Sequence, residues 1–356
     1  MRRTPVVYAE GHRHHTTDTG HWVGVPIETL EVPERIEVVR KSLEALGHEV
    51  IPAMSHDDSV LETVHDPAMV EYMRTAHEAW LESGYDTEPG QANVVGYAFP
   101  TPSFLGDLPL RLPTSAAARA GVYAMDTMTP IGPGTFLGAR AAVDAAQTAA
   151  RTVASGSRSA YAACRPPGHH AGRAFFGGSC YLNNAAVAVA ELIQAGGFGT
   201  VTVFDLDAHH GNGTQEIFYR RADVGYGSVH VDPAAGWFPH FVGHATETGT
   251  GRGKGANLNI PIAPGEGDET WLAGIDRLVE FASGMQSEAL VVSLGVDAAA
   301  GDPESPLSIT ESGYAGAGNR IASLDLPTVF VQEGGYVLET IGGLVAAALG
   351  GFDASS

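Results

Sequence analysis

Cysteine, basic side chains and long apolar runs are what this chain has least of. Its 356 residues include two cysteines, Cys164 and Cys180, too few for a disulfide framework, which favours a reducing cytoplasm. No run of 18 apolar residues occurs, so we expect no membrane-spanning helix and no membrane partner. The apolar segment after Pro5 is too short for the core of a signal peptide. The low cysteine content and the lack of long apolar runs favour a globular protein of the cytoplasm.

Positively charged residues are also few. The chain has 20 Lys and Arg residues and 41 Asp and Glu residues, which gives a net charge of −21. A field of that sign repels nucleic acid and attracts cations toward a cleft. We therefore expect no nucleic-acid partner. Two interpretations of the acidity stay open: a cationic substrate, or surface charge that serves solubility or a salt-adapted host.

The chain shows no internal repeat and no linker, so we predict a single domain over residues 1–356. After residue 199, segments with strand character alternate with helical periodicity, which predicts βαβ units and a parallel sheet. Strands are expected at residues 5–9, 159–163, 199–207, 226–230, 289–296 and 327–332. Helices are expected at residues 32–47, 67–83, 136–155, 182–195, 214–221, 268–284, 310–323 and 338–349.

An irregular stretch, about residues 84–135, interrupts this pattern and is rich in Gly, Pro and Thr. A loop of that length in a compact domain is usually functional or disordered. We interpret it as an insertion loop that forms a substrate rim or an oligomer contact.

Metal-binding side chains follow separate apolar runs of strand character. Asp207 and His209 follow the run that begins at Val201, Asp297 follows the run that begins at Leu290, and Tyr336 follows a third run. Ligands bind beyond the carboxyl ends of parallel strands, so these side chains are predicted to share one site. Two carboxylates and one imidazole leave a divalent metal with an open position, as hydrolysis requires. The alternative is that both aspartates cap helices or loops.

Adjacent histidines, His169 and His170, end the motif RPPGHH. On a turn stiffened by prolines they can place two imidazoles beside one substrate, and imidazole suits general acid and base catalysis near neutral pH. The glycine-rich segment that follows, residues 175–184, opens a helix and lets backbone approach a ligand closely. The alternative is an ordinary pair of loop histidines.

Taken together, the motifs RPPGHH, FGGSCYLNNAAVA, DLDAHHGNGTQ, SLGVD and EGGY resemble the histone deacetylase superfamily. Residues 230–249 look like its bacterial acetylpolyamine amidohydrolase branch in particular, and the resemblance spans roughly residues 5–350. It implies the arginase–deacetylase fold: an α/β structure with a central, mainly parallel, eight-stranded sheet and helices on both faces. It also implies hydrolysis of the acyl amide of a small cationic amine, such as an acetylpolyamine, by a homodimeric enzyme.

The resemblance also assigns roles to residues. It implies zinc ligands at Asp207, His209 and Asp297, although Fe²⁺, Co²⁺ or Mn²⁺ also suit such a site. It implies His170 as general base and acid, His169 as its protonated companion, and Tyr336 as hydrogen-bond donor to the scissile carbonyl. The residues implied to support them are Asp205, partner of His169, Asn212, partner of His170, and Gly178, whose carbonyl accepts the substrate amide. The residues implied to bind a structural K⁺ are Asp205, Asp207, His209, Ser228 and Val229.

The sequence departs from the family pattern beside the expected acyl tunnel. Ser179 stands where the family usually has an aromatic wall, whereas the opposite wall, Phe238, is present. We expect either that Trp237 swings in and partly fills the gap, or that the tunnel is wider and takes a bulkier substrate. An acidic specificity residue near the N-terminus has no clear match, since Glu10 and Asp18 are only nearby.

Several competing functions remain. An arginase-type ureohydrolase needs further metal-bridging aspartates, but glycines, Gly211 and Gly295, occupy those positions. A protein acetyl-lysine deacetylase needs an open rim, which residues 84–135 argue against. A deacylase of another N-acyl small molecule, as in natural-product biosynthesis, is compatible with Ser179. A metal-free binding protein would have little reason to keep every ligand, both histidines and the tyrosine.

Overall fold

The computed structural model of the protein describes residues 3–17 and 19–355, so Asp18 lies outside the described residues. Within these ranges there are ten strands, numbered β1 to β10 in chain order. They are Val6–Tyr8, Thr19–Trp22, Val25–Glu28, Val50–Pro52, Ser159–Ala162, Val201–Asp205, Val224–Val231, Asn257–Ile262, Ala289–Leu294 and Thr328–Gln332. There are eleven α-helices, α1 to α11, in the same described ranges. They are Glu34–Ala45, Ser59–Val64, Pro67–Glu82, Pro102–Leu105, Ala116–Tyr123, Thr135–Ala154, Asn184–Gln194, Asn212–Phe218, Asp268–Gly284, Glu311–Ala322 and Leu338–Ala354.

Eight of the strands form one parallel sheet in the order β4-β1-β5-β10-β9-β6-β7-β8. The predicted α/β fold with an eight-stranded sheet is therefore confirmed, and the sheet is parallel throughout. Both edge strands contain a proline, Pro52 in β4 and Pro261 in β8. Proline cannot donate to a strand ladder, so it is tolerated at a sheet edge.

Helices cover both faces of the sheet. Along β10, Val329 and Val331 pack into an apolar layer with α3, α6 and α7, whereas Phe330 packs into another with α1, α9, α10 and α11. Successive side chains of a strand point to opposite faces, so a strand buried on both sides is apolar throughout. This explains the continuous apolar runs that predict β6, β9 and β10.

Several elements have no counterpart among the predicted ones. The antiparallel hairpin of β2 and β3, the edge strands β4 and β8, and helix α2 were not predicted. The hairpin lies on the surface, with β3 exposed along its whole length, so it lacks the alternating burial that marks a strand. The irregular stretch at 84–135 contains two short helices, α4 and α5.

The described residues include no helix that is both long enough and apolar enough to cross a membrane.

Candidate active site at the carboxyl ends of the central strands

The predicted metal-binding side chains follow three neighbouring strands, β10, β9 and β6, at the same edge of the sheet. Asp205 ends β6, and Asp207 and His209 come directly after it. Asp297 follows β9 by three residues, and Tyr336 follows β10 by four. The parallel register therefore brings together side chains that are far apart in the sequence.

Asp207, His209 and Asp297 form a compact buried cluster whose possible ligand atoms all lie within 4.8 Å of one another. The Nδ1 atom of His209 lies 3.0 Å from Oδ2 of Asp297 and 3.2 Å from Oδ1 of Asp207. Burial and the nearby Asp207 carboxylate raise the pKa of Asp297. Two carboxylates this close in a dry pocket need a cation, and with one imidazole they form a donor set that could hold a divalent metal.

Backbone amides fix the carboxylates of this cluster. The amide of Gly334 donates to Oδ2 of Asp207 at 2.8 Å, and the amide of Ala208 donates to Oδ1 of Asp297 at 2.9 Å. Gly334 has to be glycine here, because a Cβ atom would lie 2.6 Å from Asp297 and 2.7 Å from Asp207 carboxylate oxygens. The backbone segment that leads to Tyr336 thus packs directly against the metal-binding carboxylates.

Glycines exclude further carboxylates at the positions that a two-metal centre requires. A Cβ atom on Gly295 would lie 2.1 Å from Oδ2 of Asp207, and one on Gly211 would lie 2.1 Å from Oδ2 of Asp205. Neither position can accept an aspartate without moving backbone or buried carboxylates. This packing argues against a ureohydrolase more strongly than the missing residues do alone.

The adjacent histidines differ in their partners and in their pKa values. The Nδ1 atom of His169 lies 3.1 Å from Oδ2 of Asp205, whereas Nδ1 of His170 lies 2.7 Å from Oδ1 of Asn212. Burial lowers the pKa of His169, but the carboxylates of Asp207 and Asp205 outweigh it and raise the pKa to about 10. Burial, with the neighbouring imidazoles of His169 and His209, holds the pKa of His170 well below its usual value. The pKa values of the two adjacent rings are therefore shifted in opposite directions.

A cavity of about 350 Å³ opens onto these groups. Its lining includes both histidines and two of the metal-cluster residues, with Gly178, Ser179, Phe238 and Tyr336. The ring of Phe238 stands edge-on to His170, with centroids 4.9 Å apart. Gly178 has φ +56°, and a Cβ atom there would lie 2.3 Å from Cδ2 of His170, so the backbone approaches the histidine closely. Residues 27–31, at the end of the β2–β3 hairpin and directly after it, form part of the outer wall of the cavity.

The gap beside Ser179 is not filled by Trp237. Trp237 is not among the residues lining the cavity and instead packs, partly buried, against the apolar layer on the α9 face. A second, smaller cavity also borders Ser179 and shares several wall residues with the first. The shared residues are Gly20, Thr29, Glu31, Met128 and Ser179. The expectation that the tryptophan ring swings inward is therefore not met in this structure.

Residues that were missed at the sequence level hold Tyr336 in place. The guanidinium carbon of Arg35 lies 4.7 Å from the centre of the Tyr336 ring, and Nε of Arg35 donates to the carbonyl of Gly335 at 2.6 Å. The amide of Tyr336 donates to Oδ2 of Asp302 at 2.8 Å. Arg35 could have been found, because it lies at i−4 from Val39, on the apolar stripe of α1.

Two of the residues predicted to bind K⁺, Asp207 and His209, belong to the metal cluster itself. Asp205 and Ser228 are register partners on β6 and β7, and both are fully buried. The Ser228 hydroxyl lies 2.8 Å from Nδ1 of His230.

Comparison with known proteins identifies the family. A model of the histone deacetylase domain matches residues 29–352. Acetylpolyamine amidohydrolase 1 of Pseudomonas aeruginosa is 39% identical, over 98% of this chain and 99% of its own length. Acetylpolyamine amidohydrolase of Mycoplana ramosa is 37% identical, over 97% of this chain and 98% of its own. A crystal structure of acetylpolyamine aminohydrolase from Burkholderia pseudomallei has a TM-score of 0.92 at 34% identity and covers 99% of both chains. These findings confirm the resemblance seen in the motifs: the chain belongs to the histone deacetylase family and is an amide hydrolase.

Proposed function

We propose that this protein is a zinc-dependent amidohydrolase that removes an acetyl or other acyl group from the amine of a small cationic molecule such as an acetylpolyamine. The observation that carries the proposal is one cavity lined by Asp207, His209, the histidine pair and Tyr336. The names of the similar proteins support the acetylpolyamine substrate.

Asp207, His209 and Asp297 would hold the catalytic metal. When bound, a zinc ion acts as a Lewis acid that polarises a carbonyl and makes a water molecule more acidic. Fe²⁺, Co²⁺ or Mn²⁺ are accepted by the same donor types. A structural K⁺ would be held by the backbone and side-chain oxygens of a set of buried residues: Asp205, Asp207, His209, Ser228 and Val229.

His170 would act as general base and then as general acid. Asn212 accepts from its Nδ1 atom, so the Nε2 atom keeps a lone pair for the proton of the attacking water. His170 then delivers that proton to the leaving amine. His169, held by the Asp205 carboxylate, stays protonated and stabilises the negative charge of the transition state.

Tyr336 would donate its phenolic hydrogen to the oxygen of the scissile carbonyl. Burial raises the pKa of this phenol well above its usual value, which keeps the hydrogen in place. The carbonyl of Gly178 would accept the N–H of the substrate amide. Phe238 would lie along the methylene chain, opposite the opening beside Ser179.

The charge of the cavity mouth supports a cationic substrate. Glu28 and Glu304 line the cavity on an exposed part of its wall, and the chain carries a net charge of −21. A bulkier N-acyl small molecule is the second candidate, because Ser179 lines the main cavity at a position where an aromatic side chain would take up more of its space. Protein acetyl-lysine peptides are a third class of candidate substrate, which the same assay can test.

We also infer a homodimer that is built through residues 84–135. This stretch exposes large apolar side chains: Tyr97, Phe104, Leu108, Leu110 and Leu112. Several exposed large apolar side chains in one segment favour a protein contact. Eight of the ten described strands form one sheet, which supports a single domain over residues 1–356. Cys164 and Cys180 are both free and buried, which is compatible with the cytoplasm.

The proposal is tested by measuring acetate or acyl release from a substrate panel with zinc-loaded protein. The panel contains acetylated diamines, neutral analogues of the same length, acetyl-lysine peptides and N-acyl amines with branched or aromatic groups. We expect release from the acetylated diamines that falls with salt, while the neutral analogues show no salt effect. Absence of release from every member of the panel by fully metal-loaded protein would refute the proposal.

A further inference from the structure

Glu333 is a fully buried carboxylate that has no part in the chemistry proposed above. It directly follows β10 and precedes Gly334, whose amide binds a metal-cluster carboxylate. A buried carboxylate needs hydrogen bonds to offset the loss of water. Its partners therefore show what the side chain does in this fold.

The side chain of Glu333 binds the turn that carries the histidine pair. Its Oε2 atom accepts from the amide of Gly168 at 2.6 Å and from the amide of His169 at 3.1 Å. Its Oε1 atom accepts from the hydroxyl of Ser293, on β9, at 3.2 Å. The carboxylate thus joins the histidine turn to the central strands.

The main chain of Glu333 forms hydrogen bonds on the side of the site that carries Tyr336. Its amide donates to the carbonyl of Leu294 at 3.1 Å, and its carbonyl accepts from Nη2 of Arg35 at 2.6 Å. The same guanidinium stacks over the ring of Tyr336. Glu333 therefore connects the backbone of the histidine turn with the segment that carries Tyr336.

The histidine turn is confined on its other side by α7. A Cβ atom on Gly168 would lie 2.5 Å from the amide nitrogen of Asn184, so the turn fits closely between that helix and the Glu333 carboxylate. Without an acceptor at residue 333, both amides of the turn would remain buried without a partner. The turn would then shift to find water or another acceptor.

We propose that Glu333 is a positioning residue whose carboxylate sets the place of His169 and His170 relative to Tyr336 and the metal cluster. The inference rests on the proposed function, because it assigns those side chains to the reaction. A displacement of about 1 Å in a reacting group lowers turnover by about 100-fold. The effect belongs to kcat rather than KM, since Glu333 does not line the substrate cavity.

The test compares Glu333→Leu, which removes the acceptor but fills the space, with Glu333→Gln, whose carbonyl can still accept from the turn. Glu191→Leu is the matched control, because Glu191 is also buried but accepts from Gln147 and Arg151 away from the cavity. Each variant is measured for kcat, KM, bound zinc, thermal midpoint and hydrogen exchange of the peptide that covers residues 166–170.

For Glu333→Leu we expect kcat about 100-fold below the wild type, with similar KM, full zinc content and faster exchange at residues 166–170. Glu333→Gln should keep slow exchange there and lose less than about 10-fold in kcat. Glu191→Leu should lower the thermal midpoint while kcat per folded molecule is unchanged. A Glu333→Leu enzyme with wild-type kcat and exchange would overturn the inference.

Other outcomes separate this inference from the proposed function. If Glu333→Leu does not fold, a 100-fold loss in a well-folded Glu333→Gln would overturn the inference, because the acceptor is still present there. If the wild-type protein hydrolyses no N-acyl amine, the proposed function fails. The exchange data would then still decide whether Glu333 holds the histidine turn.

Discussion

The candidate site at the carboxyl ends of β6, β9 and β10 and the insertion at residues 84–135 differ in which side chains they bury and which they expose. At the sheet edge, charged and polar side chains are buried, and amides, carboxylates and imidazoles bind one another. The insertion instead exposes apolar side chains such as Phe104 and Leu108, which are 77% and 72% exposed. A group that reacts has to be held in one place, whereas a surface that binds another protein has to be uncovered. Substitutions in the two regions should therefore change different quantities.

The largest expected effect comes from removing a metal-binding carboxylate. Asp297→Ala should abolish zinc binding and reduce deacylation to the background rate, since two remaining donors bind a divalent cation poorly. Measurements of metal content and acetate release check this. Asp276→Ala, which removes an exposed partner of Arg320, is the control and should leave both unchanged. Normal turnover by Asp297→Ala would contradict the assignment.

The next largest effect should follow from the loss of one hydroxyl group. Tyr336→Phe should lower kcat by about 10²–10³ while zinc content stays full, because the phenol is expected to act only as charge develops on the carbonyl oxygen. Tyr314→Phe is the matched control: that buried phenol has no hydrogen-bond partner among the described residues and packs beside Trp271. Unchanged turnover in Tyr336→Phe would remove the phenol from the mechanism.

A third effect concerns pH and the way the histidine turn is anchored. The Nδ1 atom of His65 donates to the carbonyl of Gly172 at 2.8 Å, and its Nε2 atom accepts from the amide of Asn183 at 2.9 Å. This geometry requires a neutral ring, and burial lowers the pKa of His65 from 6.5 to about 4.

Because the unfolded chain binds this proton at higher pH, His65 contributes stability that is full above pH 6.5 and is lost as the pH falls to about 4. The loss should reach about 3 kcal/mol in the free energy of unfolding. Denaturant unfolding across this range should show a shallower slope for His65→Gln than for the wild type. The control His77→Gln changes an exposed histidine, so a slope that is the same in all three proteins would count against the assignment.

The smallest effect on activity should come from the insertion. Leu108→Glu combined with Phe104→Glu should convert the proposed dimer to a monomer, since two charges in an apolar interface remain unpaired. The free energy of unfolding of the monomer should change by less than about 0.5 kcal/mol, because both side chains are exposed. Sedimentation at several concentrations measures the association. A monomeric wild type would refute the dimer, and a dimer that survives both substitutions would place its interface elsewhere.

The sequence alone was sufficient to predict the buried central strands that carry the candidate site. Strands β6, β9 and β10 are apolar on both faces and end in polar side chains, so their position in the sheet and the grouping of Asp207, His209 and Asp297 could be predicted. The elements that were missed include the two edge strands of the sheet, the surface hairpin and the short helix α2. Strands β4 and β8 are edges that contain a proline, and the β2–β3 hairpin carries exposed apolar residues such as Trp22 and Val25.

The supporting contacts of the site could not be predicted for a different reason. Arg35 reaches backbone carbonyls about 300 residues away, and Glu333 reaches amides 165 and 164 residues away. No local pattern encodes such contacts. Trp237 was expected in the tunnel because it is adjacent to Phe238, but adjacent side chains on an irregular segment need not face the same way.

The account depends on a single cation held by Asp207, His209 and Asp297. Crystals of the zinc-loaded protein, with diffraction data collected on both sides of the zinc absorption edge, test this most directly. We expect one strong anomalous peak among these three side chains and none at Gly211 or Gly295. An absent peak under saturating zinc, or a second peak of equal height beside the first, would contradict the account.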